Sequence, residues 1–235
     1  MDALATPPPF RHSGRLVLSG HQPYLMPWGG FWNKVAHSDL FVVTAGMKYS
    51  SGDYQRRVKL YGKWLVVPVE QGSTAKAIKD VRIDGDALPA LARQIKGRML
   101  QAHAPFYDRI EPVVECLAGT RFTWLLDLDL TLMLKIRALL GLTTDFVVDL
   151  DTRDGLSATE KLIDICETHS GKVLLCGAKG VEYMDQSILP GGLEFWRQQV
   201  AVPEVGPDSV LQLIAQEPFA TERVLRCARW ERLFA

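Results

Sequence analysis

The sequence concentrates chemically versatile side chains in one short segment, SGHQPYLMPWGGF, which contains His21, Gln22, Tyr24 and Trp28. An imidazole exchanges protons near neutral pH, and a glutamine amide can orient a substrate. Two prolines stiffen the segment, and the two adjacent glycines let backbone approach a ligand closely. We interpret it as a functional loop with His21 as acid/base and Gln22 as orienting donor. The alternative is that His21 and Gln22 bond to loop backbone while Tyr24 and Trp28 only pack.

A cationic row is the second candidate. In KYSSGDYQRRVKL, the side chains of Gln55, Arg57 and Lys59 fall on one face of a predicted strand, because strand residues alternate between faces. Arginine offers a planar fork to a carboxylate or phosphate, and lysine offers a point charge. The row can therefore hold an anionic substrate group near His21. The alternative is a solvated strand face at a sheet edge, where such residues are ordinary.

The third candidate is the glycine turn in CGAKGVEYMD, which places Gly177 and Lys179 directly after a buried strand ending at Cys176. It has neither the P-loop spacing nor the dinucleotide-binding fingerprint. Cys176 can be considered as a nucleophile, but a buried structural cysteine is the commoner case.

Two further sets of residues are not assigned to the site. His169 lies at the end of a predicted helix, where an imidazole complements the helix dipole. Asp127 and Asp129 are two positions apart on a predicted helix, so they cannot share one face as a carboxylate pair.

Composition excludes several classes of protein. The 235 residues are 47% hydrophobic, and 27 Lys and Arg balance 27 Asp and Glu, so the net charge offers no long-range attraction for DNA. No apolar run reaches the roughly 20 residues that span a bilayer, and no signal-peptide core opens the chain, so we expect a cytoplasmic protein with no membrane partner. The four cysteines have no metal-ligand spacing, which predicts reduced, buried thiols and no metal.

The elements around the first segment predict its position in a fold. RLVLSG is typical of a buried strand, GGFWNKVAHS of a helix and DLFVVTAG of a second buried strand. Such a βαβ unit binds ligands at the carboxyl ends of its strands, where His21 falls. We expect a flexible proline-rich tail over residues 1–14 and a single α/β domain over 15–235, with a mostly parallel central sheet flanked by helices.

The rest of the chain predicts further elements. QRRVKLYGKWLVVPV indicates two strands joined at Tyr61-Gly62, and AIKDVRID indicates a more exposed strand. A helical segment around 87–140 is divided near Pro105, and a strand, a helix capped by Ser157 and a strand follow it. EFWRQQVAVPEV is typical of an edge strand broken by proline. Residues 208–216 and 221–233 are typical of two closing helices.

These blocks resemble the WbqC-like protein family of bacteria. HQPYLMPWGGFWNKVAHSDLFVV, the residues Gln55, Arg57 and Lys59 ahead of KWLVVPV, and KLIDICETHSGKVLLCGAKGVEYMD follow the family order over residues 16–215. The resemblance implies a link to surface-polysaccharide and O-antigen biosynthesis, and aminoacyl (glycyl) transfer to amino sugars. The positions that match are His21, Gln22, Pro23, Pro27, Trp28, Gln55, Arg57, Lys59, Gly177 and Tyr183.

The chain departs from the family pattern at two places. Thr44-Ala45-Gly46 stands where acidic residues commonly precede the tyrosine that aligns with Tyr49. Cys176 replaces the usual small polar residue before the glycine turn.

We therefore predict an acyl or aminoacyl transferase in which His21 deprotonates a substrate amine while Arg57 and Lys59 fix an anionic group. The substrate is a small molecule, such as a nucleotide sugar or a carrier-bound acyl donor, with no cofactor; a homodimer stays open. The predicted substrate-binding residues are Tyr24, Trp28, Tyr49, Gln55, Arg57, Lys59, Gly177, Lys179 and Tyr183.

Two other classes remain open. A nucleotidyltransferase-like nucleotide-binding enzyme also opens with a strand, a histidine loop and a helix, although a second histidine is missing here. The other is a non-catalytic small-molecule binding protein in a biosynthetic cluster.

Overall fold

The computed structural model describes residues 10, 14–178, 180, 182, 184–200 and 206–234. Its helices and strands in chain order are β1 (Val17–His21), α1 (Gly29–Ala36), β2 (Leu40–Thr44), β3 (Arg57–Leu60), β4 (Lys63–Val66), α2 (Leu88–Gln101), α3 (Glu111–Gly119), α4 (Leu125–Leu139), β5 (Asp145–Asp149), α5 (Ala158–Thr168), β6 (Val173–Cys176), β7 (Glu194–Val200), α6 (Val210–Gln216), α7 (Ala220–Arg226) and β8 (Ala228–Leu233).

Six of these strands form the central sheet, in the order β5-β2-β1-β6-β7-β8. Neighbouring strands are parallel from β5 to β7, and β8 runs antiparallel to β7. The predicted α/β class with a mostly parallel sheet is confirmed. The connection from β1 leads to β2 on one side, whereas that from β6 leads to β7 on the other. The order of the strands therefore reverses between β1 and β6. Open α/β sheets bind ligands at the carboxyl ends of the strands at such a switch point.

Helices cover both faces of the sheet because its strands are apolar on both sides. Phe41 and Val43 pack in a large cluster with residues of α1, α2, α3, α4, α6 and α7. Val42 points to the opposite face, where it packs with Ile165 and Cys166 of α5. The alternation along β2 thus determines which helix covers which face.

The predicted hairpin and helical segment are also present. β3 and β4 form a separate two-stranded antiparallel sheet, with Tyr61 (φ 52°) and Gly62 (φ 70°) in the two left-handed turn positions that suit the twist of a hairpin. α2 and α3 are divided around Pro105 as predicted, and α4 follows them. The Ser157 and Glu160 capping box begins α5.

Three predictions of secondary structure are wrong. The strand predicted at AIKDVRID is not continuous. Ile78–Asp80 form a 3-10 helix, and Arg82 and Ile83 make only isolated bridges, because no neighbouring described strand offers a continuous ladder there. Residues 221–233 do not form one helix, because α7 ends at Arg226 and the remaining residues pair with β7 as β8. β7 is consequently not an edge strand.

Most of the predicted tail lies outside the described residues, as does Pro203. Phe10 is described and is only 2% exposed, with its ring against the indoles of Trp196 and Trp230. All four cysteines are buried and unpaired, as predicted. In the described part of the chain, none of the helices combines the length and apolar character needed to cross a bilayer.

Candidate functional site

The candidate site lies at the carboxyl ends of β1 and β6, where the order of the strands reverses. His21 is the last residue of β1, Cys176 is the last residue of the neighbouring β6, and Gly177 follows it. Ser19 pairs with Leu175, so Gly20 lies next to Cys176 across the two strands. The sheet thus brings together the first and third segments predicted from sequence. Lys179 and Tyr183, predicted with the third, lie outside the described residues.

His21 is held as a neutral imidazole. Its Nδ1 lies 2.9 Å from the carbonyl oxygen of Gln22, which fixes Nδ1 as the protonated nitrogen and leaves the lone pair on Nε2. The ring contacts Tyr24 and Phe31 edge-on, at centroid distances of 4.4 and 5.3 Å. Burial, assisted by the positive charge of Lys34, lowers the pKa of His21 to about 3. The imidazole is therefore uncharged at neutral pH.

Lys34 is a member of this site that sequence reasoning missed. It is 3% exposed, and its Nζ donates to the Gly20 carbonyl at 3.1 Å. Burial lowers the pKa of Lys34 to about 8, against a smaller opposing effect of Cys176. The available signal was its position three residues after Phe31 on the inward face of the predicted helix.

Cys176 is held as a thiol. Burial raises its pKa to about 12, although the charge of Lys34 acts in the opposite direction. Because the thiolate is the nucleophilic form, the surroundings of Cys176 do not activate it as a nucleophile at neutral pH.

The first and second predicted segments are joined by hydrogen bonds. Gln55 Nε2 donates to Gln22 Oε1 at 2.6 Å, and Gln55 Oε1 accepts from the Ser50 backbone N–H at 2.8 Å. Tyr24 donates its hydroxyl to Asp53 Oδ1 at 2.6 Å. The loop that follows β1 therefore lies against the segment before β3, as the proposal of a shared site requires.

The predicted cationic row is divided by burial. Gln55 is fully buried and belongs to the contacts with the loop, whereas Arg57 and Lys59 are half-buried on β3. Both of these cations lie over the indole of Trp64 on β4, at 4.4 and 5.2 Å from the ring centroid. Arg57 also donates to the Gly52 carbonyl. The indole thus orients two positive charges on the hairpin.

The indole of Trp28 packs against Gly30 rather than leaving this glycine open to a ligand. A Cβ on Gly30 would lie 2.2 Å from the Trp28 ring, so the indole occupies the space that this glycine leaves. The Trp28 carbonyl accepts from the N–H of Phe31 at the start of α1. At Gly30, therefore, the close approach is made by Trp28. Gly177 differs, because a Cβ built there meets no described atom within 4 Å.

Gly46, the last residue of the Thr44-Ala45-Gly46 segment, is tightly packed. A Cβ on Gly46 would lie 2.1 Å from the backbone oxygen of Asp151, and the N–H groups of Ala45 and Gly46 both donate to the Asp149 carbonyl. The loop after β5 thus fills the space that a side chain at position 46 would need.

Tyr49, predicted to bind substrate, lies in a second polar group, which we call the Tyr49 cluster: Tyr49, Arg56, Arg57 and Asp129. Tyr49 is 2% exposed and Asp129 is fully buried. The Tyr49 hydroxyl, both Asp129 carboxyl oxygens and the Nε atoms of both arginines are buried without a hydrogen-bond partner among the described residues. Burial raises the pKa of Asp129 well above its usual range. Asp127, by contrast, is exposed, which confirms that the two aspartates face different ways.

The fold and these contacts define an α/β protein with a polar site between β1 and β6, where the order of the strands in its sheet reverses. The profile of the WbqC-like protein family matches residues 22–200, so the chain belongs to this family. It is 24% identical over 173 residues to an uncharacterized protein of Mycobacterium tuberculosis, Rv1507c, covering 71% of this chain and 74% of that relative. No solved structure matches the chain. Within the described ranges, no group of three His, Cys, Asp or Glu residues is placed to hold a metal ion.

Proposed function

We propose that this protein transfers an acyl or aminoacyl group to the amine of a small biosynthetic substrate, with an amino sugar of surface-polysaccharide or secondary-metabolite biosynthesis as the expected acceptor. The observation that carries the proposal is the neutral His21 at the carboxyl end of β1, with Nδ1 fixed by the Gln22 carbonyl at 2.9 Å and Nε2 left as the proton acceptor. Membership of the WbqC-like family supports it.

In this reaction the substrate nitrogen attacks the carbonyl carbon of an activated donor. A C–N bond forms, the bond from carbon to the leaving group breaks, and the leaving group takes the electron pair. The nitrogen becomes positively charged as it attacks, and its proton then passes to His21 Nε2. His21 Nε2 then passes this proton to the leaving group, which restores the neutral imidazole.

Arg57 and Lys59 supply the second part of the proposal. Their charges, oriented by Trp64, hold an anionic group of the donor or acceptor, such as a phosphate. Gln55 couples this hairpin to the His21 loop through Gln22. An anion bound on the hairpin is thereby positioned relative to His21.

The test compares His21→Asn with His103→Asn, an exposed histidine as matched control. Asparagine retains a donor for the Gln22 carbonyl and lacks the acceptor nitrogen. Each variant is incubated with a UDP-amino sugar and, in separate reactions, with acyl-coenzyme A and aminoacyl-tRNA donors, and amide product is measured by mass spectrometry. We expect His21→Asn to lower kcat by about 100-fold or more, and His103→Asn to leave it unchanged. Activity of His21→Asn within a few-fold of the parent would exclude His21 as the base.

The pH profile adds an independent readout. Because the pKa of His21 is lowered to about 3, its base form persists throughout the mildly acidic range. We expect no acidic limb near pH 6.5 in kcat/KM. A limb there that disappears in His21→Asn would contradict the neutral state of this imidazole.

A further inference from the structure

The Tyr49 cluster concentrates the unsatisfied polar atoms of the described chain. Seven buried side-chain nitrogen or oxygen atoms lack a hydrogen-bond partner, and five of them belong to Tyr49, Arg56, Arg57 and Asp129. Native proteins pair nearly all buried polar groups, and an unpaired one costs about 1–3 kcal/mol. Such a concentration therefore requires an explanation, and a ligand that supplies the partners would provide one.

Packing holds these side chains together. The Ser50 N–H donates to Gln55 Oε1 at 2.8 Å, which fastens the residue after Tyr49 to the residue before Arg56. Tyr49 also shares an apolar cluster with Leu125 of α4, and Asp129 follows Leu125 by one helical turn on the same face. These contacts place the segment that carries Arg56 and Arg57, and the turn of α4 that carries Asp129, beside Tyr49 from different elements.

Electrostatic effects agree with this placement. Burial raises the pKa of Tyr49, the charges of Arg56 and Arg57 lower it, and the carboxyl group of Asp129 raises it. The phenol therefore lies within range of both positive charges and of the acid.

A depression of about 390 Å³ adjoins the cluster and is lined by Lys48, Tyr49, Ser50, Ser51 and Thr74. Its size suits a small molecule. Its lining adds a lysine and three hydroxyl groups, which are donors for an anionic group.

We propose that the Tyr49 cluster binds a small zwitterion that carries a primary amine and an anionic group a few atoms apart. Asp129 pairs with the ammonium, Arg56 and Arg57 pair with the anionic group, and the Tyr49 hydroxyl bonds between them. An amino acid and an amino-sugar phosphate both have this chemistry. A further step, in which this molecule reacts at His21, rests on the proposed function; the hydrogen bond between Gln55 and Gln22 links the two sites. The binding itself does not rest on the proposed function.

The first experiment screens ligands with the full chain by saturation-transfer NMR. One arm uses the twenty common amino acids, and the other uses glucosamine 6-phosphate. We expect a ligand in one arm, which identifies the source. Removing the charge of its amine by N-acetylation, or of its anionic group by esterification, should weaken binding by 10-fold or more. Equal binding of the N-acetyl form, or no binding in either arm, overturns the proposal.

The second experiment assigns the residues, using titration calorimetry of the ligand with Asp129→Asn, Tyr49→Phe and the control Asp127→Asn. We expect 10-fold weaker binding for Asp129→Asn, a smaller loss for Tyr49→Phe and parental binding for Asp127→Asn. Because burial raises the pKa of Asp129 and pairing with an ammonium would lower it again, binding should release up to one proton, which buffers of different ionisation enthalpy detect. Parental affinity in a folded Asp129→Asn variant would overturn the assignment. Binding without any transfer activity would keep this inference and remove the proposed function, whereas transfer without binding would do the reverse.

Discussion

Two buried polar groups of this molecule differ in how they are satisfied. In the first, Arg153 is 5% exposed and donates to Asp149 and Asp164, each at 2.6 Å, while the other oxygen of Asp149 accepts from the Asp151 N–H at 2.9 Å. In the second, neither oxygen of Asp129 has a hydrogen-bond partner among the described residues. Both aspartates are buried, and both lie near loops at the carboxyl end of the sheet.

The pKa values of the two aspartates are consequently shifted in opposite directions. Burial alone would raise the pKa of Asp149, but hydrogen bonds from Arg153 and Asp151 and the charge of Arg153 outweigh it and lower the pKa. Burial acts on Asp129 unopposed, so its pKa is raised. We infer that a buried carboxyl group with partners from its own chain, as at Asp149, stabilises a loop, whereas Asp129, which lacks such partners among the described residues, is open to a ligand.

The largest expected effect is that of Arg153→Met. This change leaves Asp149 buried without its cation, and removing one partner of a buried pair typically costs about 3–5 kcal/mol. We expect a loss of that order in the free energy of unfolding, measured by urea denaturation at pH 7. The control is Arg121→Met, because Arg121 and Asp86 form an ion pair with side chains 87% and 78% exposed, for which we expect less than about 1 kcal/mol. Equal losses in the two variants would mean that the Arg153 group is no more important to stability than a surface pair.

A second prediction concerns Lys34, an intermediate case with one hydrogen bond, to the Gly20 carbonyl. Its pKa is lowered from 10.5 to about 8, so between these values the unfolded chain binds a proton that the folded protein does not. Stability therefore falls by about 3 kcal/mol as pH decreases from about 10.5 to about 8, and below pH 8 the destabilisation by Lys34 stays constant.

Lys34→Met should abolish this dependence. Urea denaturation at pH 7, 8, 9 and 10 should show the parent gaining stability relative to the variant as pH rises, while Lys96→Met, at an exposed position of α2, should track the parent. A constant difference between parent and Lys34→Met would show that the amine is not desolvated in the folded protein.

Much of the fold could be predicted because local signals agree with the tertiary structure. The Ser157 capping box, the Tyr61-Gly62 turn and the buried strand ending at His21 each depend on a few adjacent residues. β8 could not be predicted in this way. Its residues have helical spacing, but the open edge of β7 offers a ladder that includes the pair of Arg197 with Glu231, and this long-range pairing prevails.

The candidate site could be predicted only in part. His21, Gln22 and Gln55 are polar residues in unusual local company, and the structure joins the two segments that contain them. Lys34 and Asp129 are charged residues within apolar helical faces, and spacing alone excludes a pair of Asp127 with Asp129 without showing which one is buried. Their significance arises from burial, which depends on how the helices pack.

The smallest expected effect on stability is that of Asp129→Asn, and its sign provides the sharpest test of the comparison. The raised pKa means that the folded protein keeps its proton above pH 3.8, where the unfolded chain ionises. The parent therefore loses stability as pH rises from about 4 toward the raised pKa, whereas Asp129→Asn does not. At pH 7 the variant should be more stable by about 1–2 kcal/mol, and at pH 4 the difference should be smaller. Asp127→Asn, on the exposed face of α4, should show neither effect.

A variant that gains stability while losing ligand would show that Asp129 is retained for binding at the expense of the fold. A variant that loses stability at pH 7 would mean that Asp129 has a partner in solution, and the contrast with Asp149 would then disappear.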